Sequence, residues 1–232
     1  MAVEALDFPV LSAYDFSDSL HPNFIQQQGG SQAPVRSGRN SKRDRITGPY
    51  EEESRMEWVW YFSFYSFLGF LLETGYAWWT GGELDRKCLL LLPLCPVYGL
   101  GACAVLLLPG TVLRSPPLLM IVGGLTATAV EYAVSVFYQK AFSVSFWDYH
   151  GQIGNLNGRV CLPFTLAWGL LLLPMVYLIQ PAAAQWFSAV PLPVSWAFLS
   201  ALAADLAVSA VILRHTGDRA CLQWYRTAGR PQ

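Results

Sequence analysis

Beyond about residue 56 the apolar positions gather into five blocks, each near the ~20 residues that an α-helix needs to cross hydrocarbon. They run Trp58–Trp79, Leu89–Leu108, Leu118–Phe137, Val160–Ile179 and Leu192–Leu213. Trp58, Trp60, Trp78 and Trp79 bracket the first block, as interfacial aromatic anchors do. Pro93, Pro96, Pro163 and Pro174 fall inside the second and fourth, which predicts kinks whose freed carbonyls are satisfied by neighbouring helices or water. Ahead of the blocks, the Gln- and Gly-rich stretch Gln26–Gln32 leads into the basic run Arg36–Arg43, too polar to bury a core. The pattern divides the chain into a disordered polar tail (residues 1–56), a transmembrane helical domain (57–214) and a short basic C-terminal tail (215–232). The expected fold is an all-α integral membrane protein, a bundle of about five transmembrane helices. The N-terminal tail has no apolar stretch of the kind a cleavable signal peptide requires.

Composition agrees with a life in lipid: 53% of the residues are hydrophobic and only 13% are charged, about half the charged fraction of a soluble domain. A formal net charge of −1 without a concentrated basic face argues against a nucleic-acid partner. The five cysteines, Cys88, Cys95, Cys103, Cys161 and Cys221, form no CxxC pair and read as small hydrophobes within the bundle, so neither a metal nor a cofactor is expected. Lys and Arg near the helix ends favour one side, with Arg86, Lys87, Lys140, Arg159 and Arg214 against Arg114, which places the C-terminus in the cytoplasm; counting Arg39, Lys42, Arg43, Arg45 and Arg55 of the N-terminal tail on the other side narrows the margin.

Against this background three acids stand out. Glu73, Glu131 and Asp205 lie deep in apolar blocks, where a carboxylate costs at least ~2.5–3.5 kcal/mol and so must face protein or a wet cavity. Helical spacing puts Ser66, Gly69, Glu73 and Tyr76 on one stripe, and Gly124, Thr128, Glu131, Ser135 and Tyr138 on another. Asp205 is flanked one turn away by the small residues Ala201 and Ser209. With the first, third and fifth helices parallel, the acids sit at similar depth, about 9–12 Å from one end of the bundle, so the three share one expected cavity. The connection Trp147-Asp148-Tyr149-His150 … Asn155-Leu156-Asn157-Gly158-Arg159 emerges at that end; Asn155 and Asn157 suit helix caps and Gly158 a tight turn. Arg159 is the expected partner of Glu131 or Glu73. The first and second blocks also repeat, faintly, in the third and fourth: an acidic helix, a charged connection, then a Cys- and Pro-containing helix.

The strings Tyr65–Thr74, Cys95–Gly101, Glu131-Tyr132, Trp147–Tyr149 and Asn155–Cys161 together resemble the putative type IV ABC-transporter permease family, the CmpB-like bacterial membrane proteins. The resemblance covers about residues 60–180 and leaves the fifth helix outside. It implies a multi-pass component of the bacterial cytoplasmic membrane that helps to move a small solute and works with a separate ABC ATPase. A substrate or ion cavity would then be formed by Glu73, Glu131, Asp205, Arg159 and Tyr98, with the Trp147–Tyr149 loop over its mouth. No GxxxxGK[ST] loop is present, so the chain carries no nucleotide-driven motor of its own. Gly99-Leu100-Gly101 lies in an apolar block with no strand before it and reads as close helix packing. Two other functions remain open, a membrane-embedded enzyme using Glu73 and Glu131 as acid and base and an assembly or regulatory scaffold with no cavity. Besides the lipid bilayer, a second copy of the chain stays open as a partner.

Overall fold

Long runs of Leu, Ala, Val and Phe favour helices whose backbone hydrogen bonds are all internal, the arrangement hydrocarbon demands. The computed structural model describes residues 48–81 and 88–222. It consists of α1 (Gly48–Thr80), α2 (Pro96–Leu106), the single turn α3 (Gly110–Leu113), α4 (Pro116–Phe142), α5 (Leu162–Phe187), α6 (Leu192–Thr216) and a closing 3₁₀ turn, Arg219–Leu222. α4 and α5 each contain one π-helical turn, Leu119–Gly123 and Met175–Ile179, the latter directly after Pro174. Two compact units divide the chain, residues 1–54 and 55–232; of the first only the opening turns of α1 are described, and the helical bundle belongs to the second. The expected disorder of residues 1–47 lies outside the described residues, whereas Gly48–Met56, assigned above to the tail, are helical and belong to α1.

Among the described residues three helices are long and apolar enough to cross a membrane, α4, α5 and α6, rather than the five expected. The second block departs most from expectation. Only Pro96–Leu106 is helical. These 11 residues span about 16 Å, roughly half the ~30 Å of hydrocarbon. Pro93 lacks the N–H that would continue a helix, while Pro96 takes the first helical turn, where a missing N–H costs nothing. Residues 89–95 are consequently unwound, yet Leu89, Leu90, Leu94 and Cys95 are buried. Irregular backbone at that depth must find partners in the surrounding helices. Leu91 N donates to Ser209 Oγ (3.1 Å) and Leu92 N to Asp205 Oδ2 (3.3 Å), both on α6, and Cys95 N donates to the Ser66 carbonyl of α1 (2.9 Å). Cys88 and Cys95 close this segment as a disulfide with their Cα atoms 4.7 Å apart, which corrects the reading of all five cysteines as unpaired; Cys103, Cys161 and Cys221 are free.

Small residues set the helix crossings. A Cβ on Gly169 of α5 would lie 2.6 Å from the Met120 carbonyl of α4, and one on Gly124 would lie 3.2 Å from Gly169 Cα, so the two helices meet backbone to backbone. α1 is tied to the others by polar side chains: Tyr65 OH donates to Gln180 Oε1 of α5 (2.6 Å), and Trp60 Nε1 to Ser195 Oγ of α6 (2.9 Å). At the end of the bundle where α1, α4 and α6 finish, Leu89, Val134, Tyr138, Phe142, Phe146, Leu213 and Leu222 form one buried cluster. Leu222, from the segment read above as a short basic C-terminal tail, is buried in this cluster.

Candidate functional site

Glu73 and Tyr98 meet because Gly69 is bare. A Cβ at Gly69, one turn before Glu73, would strike Cβ and Cγ of Tyr98; without it the phenol lies along α1 and its hydroxyl donates to Glu73 Oε1 at 2.7 Å. Pro96 starts α2 two residues earlier, which sets the register of Tyr98. Glu131 is buried on α4 and receives two neutral donors, Trp168 Nε1 of α5 at Oε2 (2.9 Å) and Tyr149 OH at Oε1 (3.1 Å). Trp168 in turn packs edge-on against Tyr98, with ring centroids 5.2 Å apart. The two carboxyls thus belong to one aromatic network.

Tyr149 reaches Glu131 from the connection between α4 and α5, which folds over the end of the bundle. Ser143 takes the left-handed conformation that ends α4. The connection then doubles back: Tyr149 N donates to the Gly158 carbonyl (2.8 Å), Leu156 N to the Val160 carbonyl (2.9 Å), and Trp147 Nε1 to the Arg159 carbonyl (2.9 Å). Asn157 and Gly158 both have positive φ, and the His150 ring lies where a Gly158 Cβ would be. Asn155 Nδ2 holds the carbonyls of His150 and Gln152 rather than a helix N-terminus, while Asn157 Nδ2 donates to Tyr132 OH (3.0 Å). Asp148 accepts from the His150 backbone N–H (3.0 Å) and pairs with its ring, and these bonds hold its carboxyl below the usual carboxylate range. Burial first, and then the neighbouring Glu131 charge, push the Tyr149 hydroxyl well above an ordinary phenol, so it remains a donor. Tyr149 also stacks on Phe164, with centroids 4.9 Å apart.

A cavity of about 760 Å³ opens between α1, α2, α4, α5 and this loop, and Glu73, Glu131, Tyr98, Trp147, Tyr149 and Trp168 are among its walls. Of the five expected cavity residues, Asp205 and Arg159 are not part of that wall. Asp205 faces the unwound segment and accepts from Leu92 N. The Arg159 guanidinium donates to Gln139 Oε1 and lies over the Tyr132 ring, 5.5 Å from its centroid, so the expected Arg159–Glu131 or Arg159–Glu73 pair is not formed. The reason is local. Hydrogen bonds from Arg159 N to the Leu156 carbonyl (3.0 Å) and from Trp147 to its own carbonyl fix the backbone with the side chain outward, and Tyr149 occupies the place beside Glu131. Trp168 did not stand out in the sequence; its signal was an indole N–H in an apolar helix, which needs an acceptor. Among the described residues no group of three or more His, Cys, Asp or Glu comes together as metal ligands.

No curated protein and no solved structure matches the chain. A family model does: the one described as "Putative ABC-transporter type IV" matches residues 60–212, running past the motifs around Cys161 and through most of α6. That stretch contains both carboxyls of the cavity, the unwound segment and the loop above Glu131, and since it makes up well over half of the sequence, the chain belongs to this ABC-transporter-related family of membrane proteins.

Proposed function

We propose that the chain is a permease-like component of the bacterial cytoplasmic membrane, binding a small solute in the cavity between α1, α2, α4 and α5 and depending on a separate ATPase for energy. The observation that carries this reading is the cavity of about 760 Å³ with Glu73 and Glu131 in its wall, together with Val97 and Tyr98 from the first turn of α2, the helix that follows the unwound segment. Unwound segments flanked by half-helices are where transporters place polar sites, because the helix ends and freed backbone supply hydrogen-bonding groups that hydrocarbon otherwise lacks. A scaffold would fill its interior instead. In this reading α1, and the unwound segment together with α2, complete five passages, and the Lys and Arg excess at the end holding Lys140, Arg159 and Arg214 puts the C-terminus in the cytoplasm. The Trp147–Tyr149 loop covers the mouth, and opening it breaks the Tyr149–Glu131 hydrogen bond.

The test is purification of the full chain in a mild detergent with identification of what accompanies it. An ATPase bearing the phosphate-binding loop that this chain lacks is the expected companion. Repeated isolation of the chain with no such companion, or ATP hydrolysis by the chain alone after rigorous removal of contaminating ATPases, overturns the ATPase-dependent reading.

A further inference from the structure

We infer that the solute of this cavity is a single-chain lipid, one acyl chain with a compact polar head, taken up from the bilayer; this rests on the reading of the cavity as a solute site. The polar groups of the wall are segregated along its length. On α1 the wall runs from Tyr65 to Trp79 and on α5 from Phe164 to Ile179, about 21 and about 22 Å at a rise of about 1.5 Å per residue. The two helices run in opposite directions, with Tyr65 bonded to Gln180 at one end and Tyr98 linking Glu73 to Trp168 nearer the other. Glu73, Tyr98, Glu131, Trp147, Tyr149 and Trp168 therefore all lie in the half under the α4–α5 loop. The deeper half is walled by residues such as Leu68, Ala102, Leu172, Met175 and Ile179. Among the described residues its one hydroxyl is that of Tyr65, which donates to Gln180 Oε1.

That gradient selects the occupant. A water settles in a cavity only with about two to four polar partners, and a sugar or an amino acid would leave polar groups unpaired in the deeper half. A hydrocarbon chain leaves nothing unpaired there and restores the dispersion contacts that a void forfeits. Length agrees, because half of a ~40–45 Å bilayer, headgroups included, is ~20–22 Å, the reach of one lipid from head to chain end. The about 760 Å³ is the volume of one small molecule, which suits one chain and not two. The cavity is also open along α1: its wall residues Leu71, Leu72, Tyr76 and Trp79 are 46%, 47%, 59% and 85% exposed, and a Cβ on Gly75 between them would meet nothing within 4 Å. With α1 as a membrane passage, hydrocarbon lies against that side. At the loop end the carboxyl oxygens of Glu73 and Glu131 and the phenols of Tyr98 and Tyr149 supply hydrogen-bonding groups for the head.

Photolabelling of the full chain in nanodiscs of dimyristoylphosphatidylcholine tests this. The probe is a palmitoyl monoacylglycerol with a diazirine at mid-chain, and its adducts are mapped by peptide mass spectrometry. Adducts are expected on Leu172, Met175 or Ile179, and an about tenfold excess of unlabelled monopalmitoylglycerol should lower them by about fivefold or more, as competition for one site requires. Leu178, 72% exposed on α5 and outside the wall, meets bulk lipid, so its labelling should not change at constant probe fraction. Gly101→Leu sends a side chain into wall space where a Cβ meets nothing within 4 Å, and it is expected to cut the wall adducts by about tenfold. Gly110→Leu, equally unobstructed but outside the wall, should leave them unchanged. Where Gly101→Leu fails to fold, competition on the unaltered chain decides by itself. Wall adducts that resist competition as Leu178 does are those of bulk bilayer chains and overturn the lipid as solute. Absence of wall adducts overturns it too. The co-purified ATPase judges the transport reading separately, so the lipid class can fail while that reading stands.

Discussion

At the scale of single residues, the three acids of the apolar blocks, Glu131 buried and Glu73 and Asp205 half-buried, have two different duties. Glu73 and Glu131 line the cavity, whereas Asp205 satisfies a backbone N–H that Pro93 and Pro96 helped to leave without a helix. Asp205→Leu leaves Leu92 N without that acceptor and is expected to lower stability by about 1–3 kcal/mol, with Asp205→Asn, which keeps an oxygen, costing less. Thermal unfolding in detergent reads both; equal losses would mean that charge rather than the hydrogen bond matters. Arg159, pointing outward over Tyr132, is expected to behave as an interfacial residue: Arg159→Ala costs no more than about 1 kcal/mol. Combining Arg159→Glu with Glu131→Arg should recover nothing, because the two are not a pair, and any recovery in the same unfolding assay contradicts the geometry. The stripes containing Glu73 and Glu131 were legible from 3.6-residue periodicity. The partners were not, since rise along a helix gives depth but leaves open the side from which a neighbour approaches.

Among the elements, the α4–α5 contact and the α4–α5 loop are the most sensitive. Gly169→Ala drives a methyl against the Met120 carbonyl and is expected to cost about 1–3 kcal/mol, while Gly101→Ala, whose Cβ meets nothing within 4 Å, serves as the control. Comparable unfolding midpoints for the two variants would show that the helices separate freely. The loop carries a pH dependence through Asp148. Its carboxyl is depressed in the folded state, so the stabilisation it gives is complete above the unfolded value near 3.8 and is lost as pH falls through the lower folded value. Hydrogen exchange of the Tyr149–Gly158 amides should accelerate below that pH in the native chain, and Asp148→Asn should remove the acid-side change; an unchanged profile in the variant counts against it. The turn-forming character of Asn155, Asn157 and Gly158 was readable from sequence. That the doubled-back loop sends Tyr149 rather than Arg159 to Glu131 depended on cross-loop hydrogen bonds, which no local propensity encodes.

On the scale of the whole molecule, α1, α4 and α6 finish at one end and α5 starts there, so the Cys221 thiol and the connection after α5 lie at opposite ends. In cells, Ser188→Cys is expected to react with an impermeant maleimide from outside, and Cys221 only after the membrane is opened. Reaction of both from one side means a passage is missing. The sequence alone determined that this chain lives in lipid, where most of its helices run and which acids had to be accounted for, because apolar run length and the cost of a charge in hydrocarbon act on residues one at a time. Tertiary structure decided that the second apolar block is half unwound, that Asp205 serves that backbone, and that Glu73 and Glu131 open onto one cavity. Those outcomes turn on which groups from distant segments come within hydrogen-bonding distance, and proline positions, bare glycines and the loop's own hydrogen bonds fix that only once the helices have packed.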